Sequence, residues 1–210
     1  MRPDDSAELT GEAGRTRIQR ERREAILEAA LEVFSRDGFR GATLDRIALV
    51  AGMSKPNVLY YFKSKEAIFL TLVDRIMELW LAPLRAMDAG GDPVAEIRAY
   101  IRRKVEMSRD FPRESRLFAN EILQGAPRIL PFLQGELKAL VDEKAAIIGA
   151  WMRQGRLKAL DPHHFIFAIW ATTQHYADFD VQVCAVLGPE RSGERRFEEA
   201  ARFLEGLFLG

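Results

Sequence analysis

Cysteine is almost missing from this chain of 210 residues: the single Cys184 has no partner for an intrachain disulfide and cannot build a thiolate zinc cluster. Long hydrophobic runs are missing too. The longest unbroken apolar stretch, Phe165 to Ala171, falls far short of the roughly 20 residues of a membrane span, and the first 25 residues hold no apolar signal core. A cytoplasmic protein with no membrane partner is the expectation. Net charge is absent as well, because 31 Lys and Arg balance 31 Asp and Glu, which excludes a polybasic anchor and an acidic disordered chain. No Gly-rich phosphate cradle, Ser/His/Asp arrangement or paired-carboxylate motif is present, so an enzyme reading has no residues to assign. No cofactor is expected.

Charge is uneven along the chain even though its sum is zero. Residues 1–14 carry one Arg against four acids, residues 15–65 eleven Lys and Arg against six, and residues 66–210 nineteen against twenty-one. A basic segment joined to a slightly acidic body is the footprint of a nucleic-acid-binding module on a larger carrier.

Apolar residues recur at helical rather than strand spacing, and no run of alternating β-branched residues occurs, so the chain reads as all-α with about nine helices. Residues 1–14 mix Pro, Asp, Ser and Gly without periodicity and read as a disordered arm. Ile26, Leu27, Ala30, Leu31 and Phe34 form the stripe of a first helix stopped by Gly38. Thr43 and Ser54 are suitable N-caps for two short helices, and a long fourth helix opens at Ser64 and carries Pro83. The segment Ala89-Gly90-Gly91-Asp92-Pro93 is a linker that starts a fifth helix, Phe111-Pro112 ends it, and a sixth reaches about Leu123. A seventh helix covers about 131–154, and an eighth opens at Asp161-Pro162. That eighth helix is apolar all round and must be buried on several sides. Gly188-Pro189 separates it from a ninth containing Phe197, Phe203 and Leu207.

Thr43 to Val50, a turn at Gly52-Met53 and a second helix from Ser54 have the layout of a helix-turn-helix. The second helix exposes Ser54, Lys55 and Asn57 at its N-terminus, where a recognition helix meets base edges. Tyr60, Tyr61, Lys63 and Lys65 follow, with hydroxyl and ammonium groups suited to phosphate oxygens. A solvated helical hairpin with half-buried tyrosines is the competing account. Arg15, Arg17, Arg20, Arg22 and Arg23 precede or open the first helix and could reach phosphates or the minor groove, unless Glu21 and Glu24 pair with them on an ordinary solvated face.

The strings Thr43-Leu44-Asp45-Arg46-Ile47-Ala48, Ala51-Gly52-Met53-Ser54-Lys55 and Tyr60-Tyr61-Phe62-Lys63-Ser64-Lys65-Glu66 resemble the DNA-binding domain of the TetR family of bacterial repressors. The resemblance implies a helix-turn-helix domain over residues 15–65 and a ligand-binding and dimerisation domain over 66–210. It also implies a homodimer on a palindromic double-stranded DNA operator, with Thr43, Tyr60, Tyr61 and Lys65 on phosphates and Lys55, Pro56 and Asn57 facing bases. Further strings, among them Leu79-Trp80-Leu81-Ala82-Pro83-Leu84, Ser115-Arg116-Leu117-Phe118 and Gln174-His175-Tyr176-Ala177-Asp178-Phe179, resemble the pyrimidine-utilisation branch of that family.

Polar residues inside apolar helices single out a pocket, since a buried amide without partners costs about 1–3 kcal/mol. Gln174 shares a helix face with Phe167 and Trp170. Its amide sets a donor beside an acceptor and matches the N–H and C=O of an imide such as uracil or thymine. Trp80, Phe118, Asn120 and Glu121 are the other candidate ligand residues. In a plain core Gln174 would bond a neighbouring carbonyl and the tryptophans would only fill space. His175 and Asp178 stand at i,i+3 with no third ligand at matched spacing, so a hydrogen-bonded pair or an interface contact is expected and no metal site. Three classes remain at this stage: a repressor relieved by a pyrimidine or another small effector, an architectural DNA binder, and an all-α enzyme or carrier.

Overall fold

In the computed structural model the backbone is described for residues 5–210 and the side chains from Arg17 onward. Ten helices occur, with no strand among the described residues: α1 Asp5–Gly41, α2 Leu44–Val50, α3 Lys55–Tyr61, α4 Lys65–Arg85, α5 Pro93–Asp110 and α6 Pro112–Leu123. Helix α7 is continuous through Leu130–Phe132, a π-helical turn at Leu133–Leu137, and Lys138–Arg153. It is followed by α8 Pro162–Asp178, α9 Asp180–Leu187 and α10 Arg195–Leu209. The arm read over residues 1–14 falls partly outside the described residues, at 1–4. From Asp5 the backbone forms the first turns of α1, where Ala, Glu and Leu are good helix formers.

The expected starts and stops have local causes. Thr43 Oγ1 accepts from Arg46 N at 3.2 Å, Ser54 Oγ from Asn57 N at 3.4 Å, and Ser64 Oγ from Ala67 N at 3.1 Å. Asp92 and Asp161 cap α5 and α8 through Ala95 N and His164 N, both at 2.9 Å. Gly38 breaks α1 with φ of 65°. One more helix is present than the spacing predicts, because the stretch from Asp161 to Leu187 breaks at Phe179 (φ −112°, ψ 28°). No Gly or Pro marks that break. The carboxylates on either side of it leave in different directions: Asp178 accepts from Ser115 Oγ on α6, and Asp180 pairs with Arg196 on α10, each at 2.5 Å.

The chain divides into two compact units after Val73, beyond the boundary expected at Lys65. The first turns of α4 belong to the smaller unit because Ile68 and Phe69 are buried there, with the Phe69 ring 5.2 Å from Phe34 and 5.1 Å from Phe39. In the larger unit α5 packs on α8 and α10, and α8 also packs on α6 and α7. Ile97, Ile101, Ile148, Phe165, Ile166 and Ile169 make the centre of that core. Helix α8 is not covered all round within one chain, since Phe167 is 46% exposed and Phe179, which follows the helix, 56%.

Lys65 illustrates how the smaller unit is closed. Its Nζ donates to the carbonyls of Phe39 and Ala42, both at 2.7 Å, and lies 4.3 Å from the Phe39 ring centroid. Carbonyls at a helix end have no intrahelical donor, so this ammonium acts as a cap. Lys65→Met is expected to cost about 1.5–3 kcal/mol, the range for hydrogen bonds to a charged group, read as a lower melting temperature by circular dichroism.

Candidate DNA interface and ligand cluster

In the smaller unit, the turn between α2 and α3 sets the angle of the exposed helix. Met53 N donates to Ala48 O at 2.9 Å and Gly52 N to Leu49 O at 3.1 Å, while Gly52 takes φ of +64°. This closing pattern needs a left-handed residue, which glycine supplies without a Cβ penalty. Val58 and Phe62 are buried and anchor α3, which leaves Ser54, Lys55, Pro56, Asn57, Tyr60 and Lys63 exposed. Tyr60 is 73% exposed and meets the half-buried Tyr61 edge-on at 5.1 Å. Lys55 is held by Asp45 at 3.0 Å across the turn, an exposed pair that a competing phosphate can displace.

Two sequence-based assignments change here. Lys65, read as a phosphate contact, has the internal capping duty described above. Arg23, grouped with the arginines of the arm, donates to Tyr61 O at 3.3 Å and lies over the Phe62 ring at 4.1 Å, so it too has an internal role. Arg17 pairs with Glu21 at 3.5 Å, as on an ordinary solvated helix, whereas the side chain of Arg15 lies outside the described residues.

In the larger unit, the face α5 turns toward α8 carries polar groups inside an apolar seam. Trp170 Nε1 donates to the Tyr100 hydroxyl at 2.6 Å, and Ser108 Oγ donates to Thr173 O at 2.9 Å. Between these two ties lies Lys104, only 4% exposed, with its ammonium 5.0 Å from the Trp80 ring centroid. Burial pushes the Lys104 amine down to about 8, against the opposing pull of the Asp178 carboxylate. Burial also raises Asp178, although Ser115 donates to it. Trp80 meets Phe118 edge-on at 5.3 Å, and its indole N–H is buried without an acceptor.

Of the predicted ligand residues, Trp80 and Phe118 are brought together, and Trp170 is tied to the seam by Tyr100. Gln174 is half-buried one turn beyond Trp170, and among the described residues nothing hydrogen-bonds its amide. Asn120 is half-buried on α6 and likewise makes no hydrogen bond there. Glu121 departs from the expectation. It is 2% exposed and accepts from Arg128 N at 2.8 Å and from the Arg128 guanidinium at 2.9 Å, so both oxygens lock the turn after α6. Phe167 lines an opening to which neither Trp80 nor Phe118 contributes. His175 stacks on Phe179 at 5.0 Å while Asp178 accepts from Ser115, so of the two roles expected for His175 and Asp178, a mutual hydrogen bond or an interface contact, the hydrogen bond does not form within the chain. Lys104 was missed because it follows Arg102 and Arg103 and reads as part of a charged face. Its spacing from Ile97, Tyr100 and Ile101 places it on the buried stripe, and that signal was available.

The model of bacterial regulatory proteins of the tetR family matches residues 26–72, and the model of the C-terminal region of YcdC-like proteins matches residues 73–210. The HTH-type transcriptional regulator RutR of Escherichia coli K12 is 48% identical over 195 residues, covering 93% of this chain and 92% of its own. Among solved structures, the transcriptional regulator SCO4942 of Streptomyces coelicolor superposes with a TM-score of 0.70 at 26% identity, covering 89% of this chain and 97% of its own. AibR, crystallised with isovaleryl coenzyme A and operator DNA, has the same fold with a TM-score of 0.69 at 20% identity, covering 90% and 98%.

The lowered Lys104 amine has a consequence for stability. The folded chain binds this proton less well than the unfolded chain, so the group's contribution grows as pH rises from about 8 toward the ordinary value of 10.5. Lys104→Met, which removes the buried charge, should be more stable than the parent at pH 7. The difference should narrow between pH 8 and 10, as urea unfolding at each pH would record.

Proposed function

The chain belongs to the TetR family of bacterial regulatory proteins, and on that premise we propose that this DNA-binding transcriptional regulator is a dimeric repressor released from a palindromic operator by a pyrimidine base. Exposed apolar side chains support the dimer: Phe179, Val181 and Val186 around α9, and Phe203 and Leu207 on α10. Covering such a face with a second copy buries it symmetrically.

Each α3 would then enter a major groove, with Lys55, Pro56 and Asn57 toward bases and with Thr43, Ser54, Tyr60, Tyr61 and Lys63 toward the sugar-phosphate backbone. Thr43 and Ser54 accept from backbone N–H groups as caps, which leaves each hydroxyl proton for a phosphate oxygen. Light scattering should give twice the 23.9 kDa of one chain. On operator DNA, Lys63→Ala should weaken binding to every sequence and lower the salt slope by about one, whereas Asn57→Ala should alter preference at particular bases. A monomer, or two variants that change only overall affinity, would contradict this arrangement.

The observation that carries the effector is the Trp80 indole N–H, buried without an acceptor between the Phe118 ring and the Lys104 ammonium, with the half-buried Gln174 amide one turn beyond Trp170 as a further donor. A flat heterocycle with two carbonyl oxygens supplies what these donors lack, and Trp80 and Phe118 supply apolar walls. Uracil and thymine have that form. Because α4 is continuous from Lys65 to Arg85 and carries Trp80, a ligand that favours one setting of this helix can shift the population of DNA-competent dimers. A 100-fold preference corresponds to about 2.7 kcal/mol. Calorimetry should show uracil or thymine binding and operator release at matching concentrations, with Gln174→Ala weakening both by about tenfold, one hydrogen bond's share. Absence of heat from either base would remove the pyrimidine reading.

A further inference from the structure

An opening lies between α7 and α8, and neither Trp80 nor Phe118 lines it. It measures about 530 Å³ and is walled by Leu133, Leu137 and Val141 of α7 and by Phe167 and Trp170 of α8. The π-helical turn Leu133–Leu137 supplies part of the wall. Such turns interrupt a helix at some cost in backbone geometry and are frequent at functional sites. Phe167 remains 46% exposed here, and its ring is tilted 50° to that of Trp170 at 5.6 Å.

The polar edge of this opening is one-sided. Gln134, Lys138, Asp142 and His163 form it. Asp142 is already satisfied on both oxygens: Oδ2 accepts from the Lys138 ammonium, and Oδ1 meets His163 Nε2 at 2.9 Å. Lys138 and His163 together hold the Asp142 carboxyl below its ordinary range. An ammonium has three donors and no acceptor, so Lys138 keeps N–H groups beyond the one given to Asp142, and the Gln134 amide lies beside it. The edge offers donors and cationic character while its one carboxylate is occupied. An occupant must therefore bring acceptors and negative charge at one end and an apolar body at the other.

The geometry points to a second ligand site in this regulator, taking apolar monocarboxylates such as medium-chain or arylalkyl acids, with the carboxylate at Lys138 and Gln134 and the body between Leu137, Val141 and Phe167. A pyrimidine is too small and too polar to fill it, so the site is independent of the effector reading above. Trp170 borders this opening and also donates to Tyr100 in the α5–α8 seam, which gives occupancy a path to the other cluster.

The test uses the full-length protein and three probes with similar chains, octanoate, octanol and octylamine, followed by calorimetry and by Trp fluorescence. Octanoate is expected to saturate one site per chain, with octanol and octylamine weaker by about tenfold or more, the share of a charge-assisted hydrogen bond. Leu137→Trp, which fills the opening, should abolish octanoate binding while leaving uracil titration as in the parent. Lys138→Gln, at the exposed edge and without effect on the core, should remove the preference for octanoate over octanol. Equal binding of acid and alcohol by the parent, octanoate binding that survives Leu137→Trp, or a preference that survives Lys138→Gln would each overturn the proposal. A negative uracil result would leave these outcomes unaffected.

Discussion

The larger unit depends on the seam between α5 and α8, where two hydrogen bonds close a layer of buried polar groups. The indole of Trp170 donates to the phenol of Tyr100, and the hydroxyl of Ser108 donates to the Thr173 carbonyl. The Ser108 tie is buried and the Trp170 tie partly so, and burial raises the Tyr100 phenol well above its ordinary value. In such surroundings a hydrogen bond is stronger than at the surface, and an unpaired group is correspondingly costly. The two ties hold α5 and α8 in a register that leaves the Lys104 side chain between them. The pull of the Asp178 carboxylate only partly offsets the cost of burying the Lys104 ammonium.

That cost fits the effector site proposed above. A donor kept out of water and left without an acceptor gains more from a ligand carbonyl than an exposed one does, because no bound water has to be displaced from it first. The indole N–H of Trp80 is such a donor. Glu121 shows the opposite treatment: its buried carboxylate is fully satisfied by Arg128 and serves to fix a turn. Two buried charged residues on neighbouring helices thus play different parts, and the difference lies in their partners.

The smaller unit uses charge for closure as well as for recognition. Lys65 and Arg23 both lie in the basic segment, yet each sits on an aromatic ring and donates to backbone carbonyls. Lys55, Lys63 and Tyr60 remain at the surface. Net positive charge over residues 15–65 therefore overstates the number of cationic side chains that remain at the surface, because part of it holds the domain together.

Much of the architecture was legible in the chain itself. The caps at Thr43, Ser54, Asp92 and Asp161, the stop at Gly38 and the turn at Gly52 are local events, decided by side chains within a few residues of the backbone they satisfy. The helix-turn-helix and its exposed face followed from them. The break at Phe179 was not legible, because its cause is a divergence of Asp178 and Asp180 toward Ser115 and Arg196, residues distant in sequence. Nor could the chain reveal that Glu121 would meet Arg128, that Phe167 would line an opening that Trp80 does not, or that Lys65 would turn inward. Sequence determined which residues form helices and which faces are apolar, since periodicity and capping act over one or two turns. Only tertiary structure decided which buried polar groups were left without partners, because a partner is a matter of where two distant helices meet.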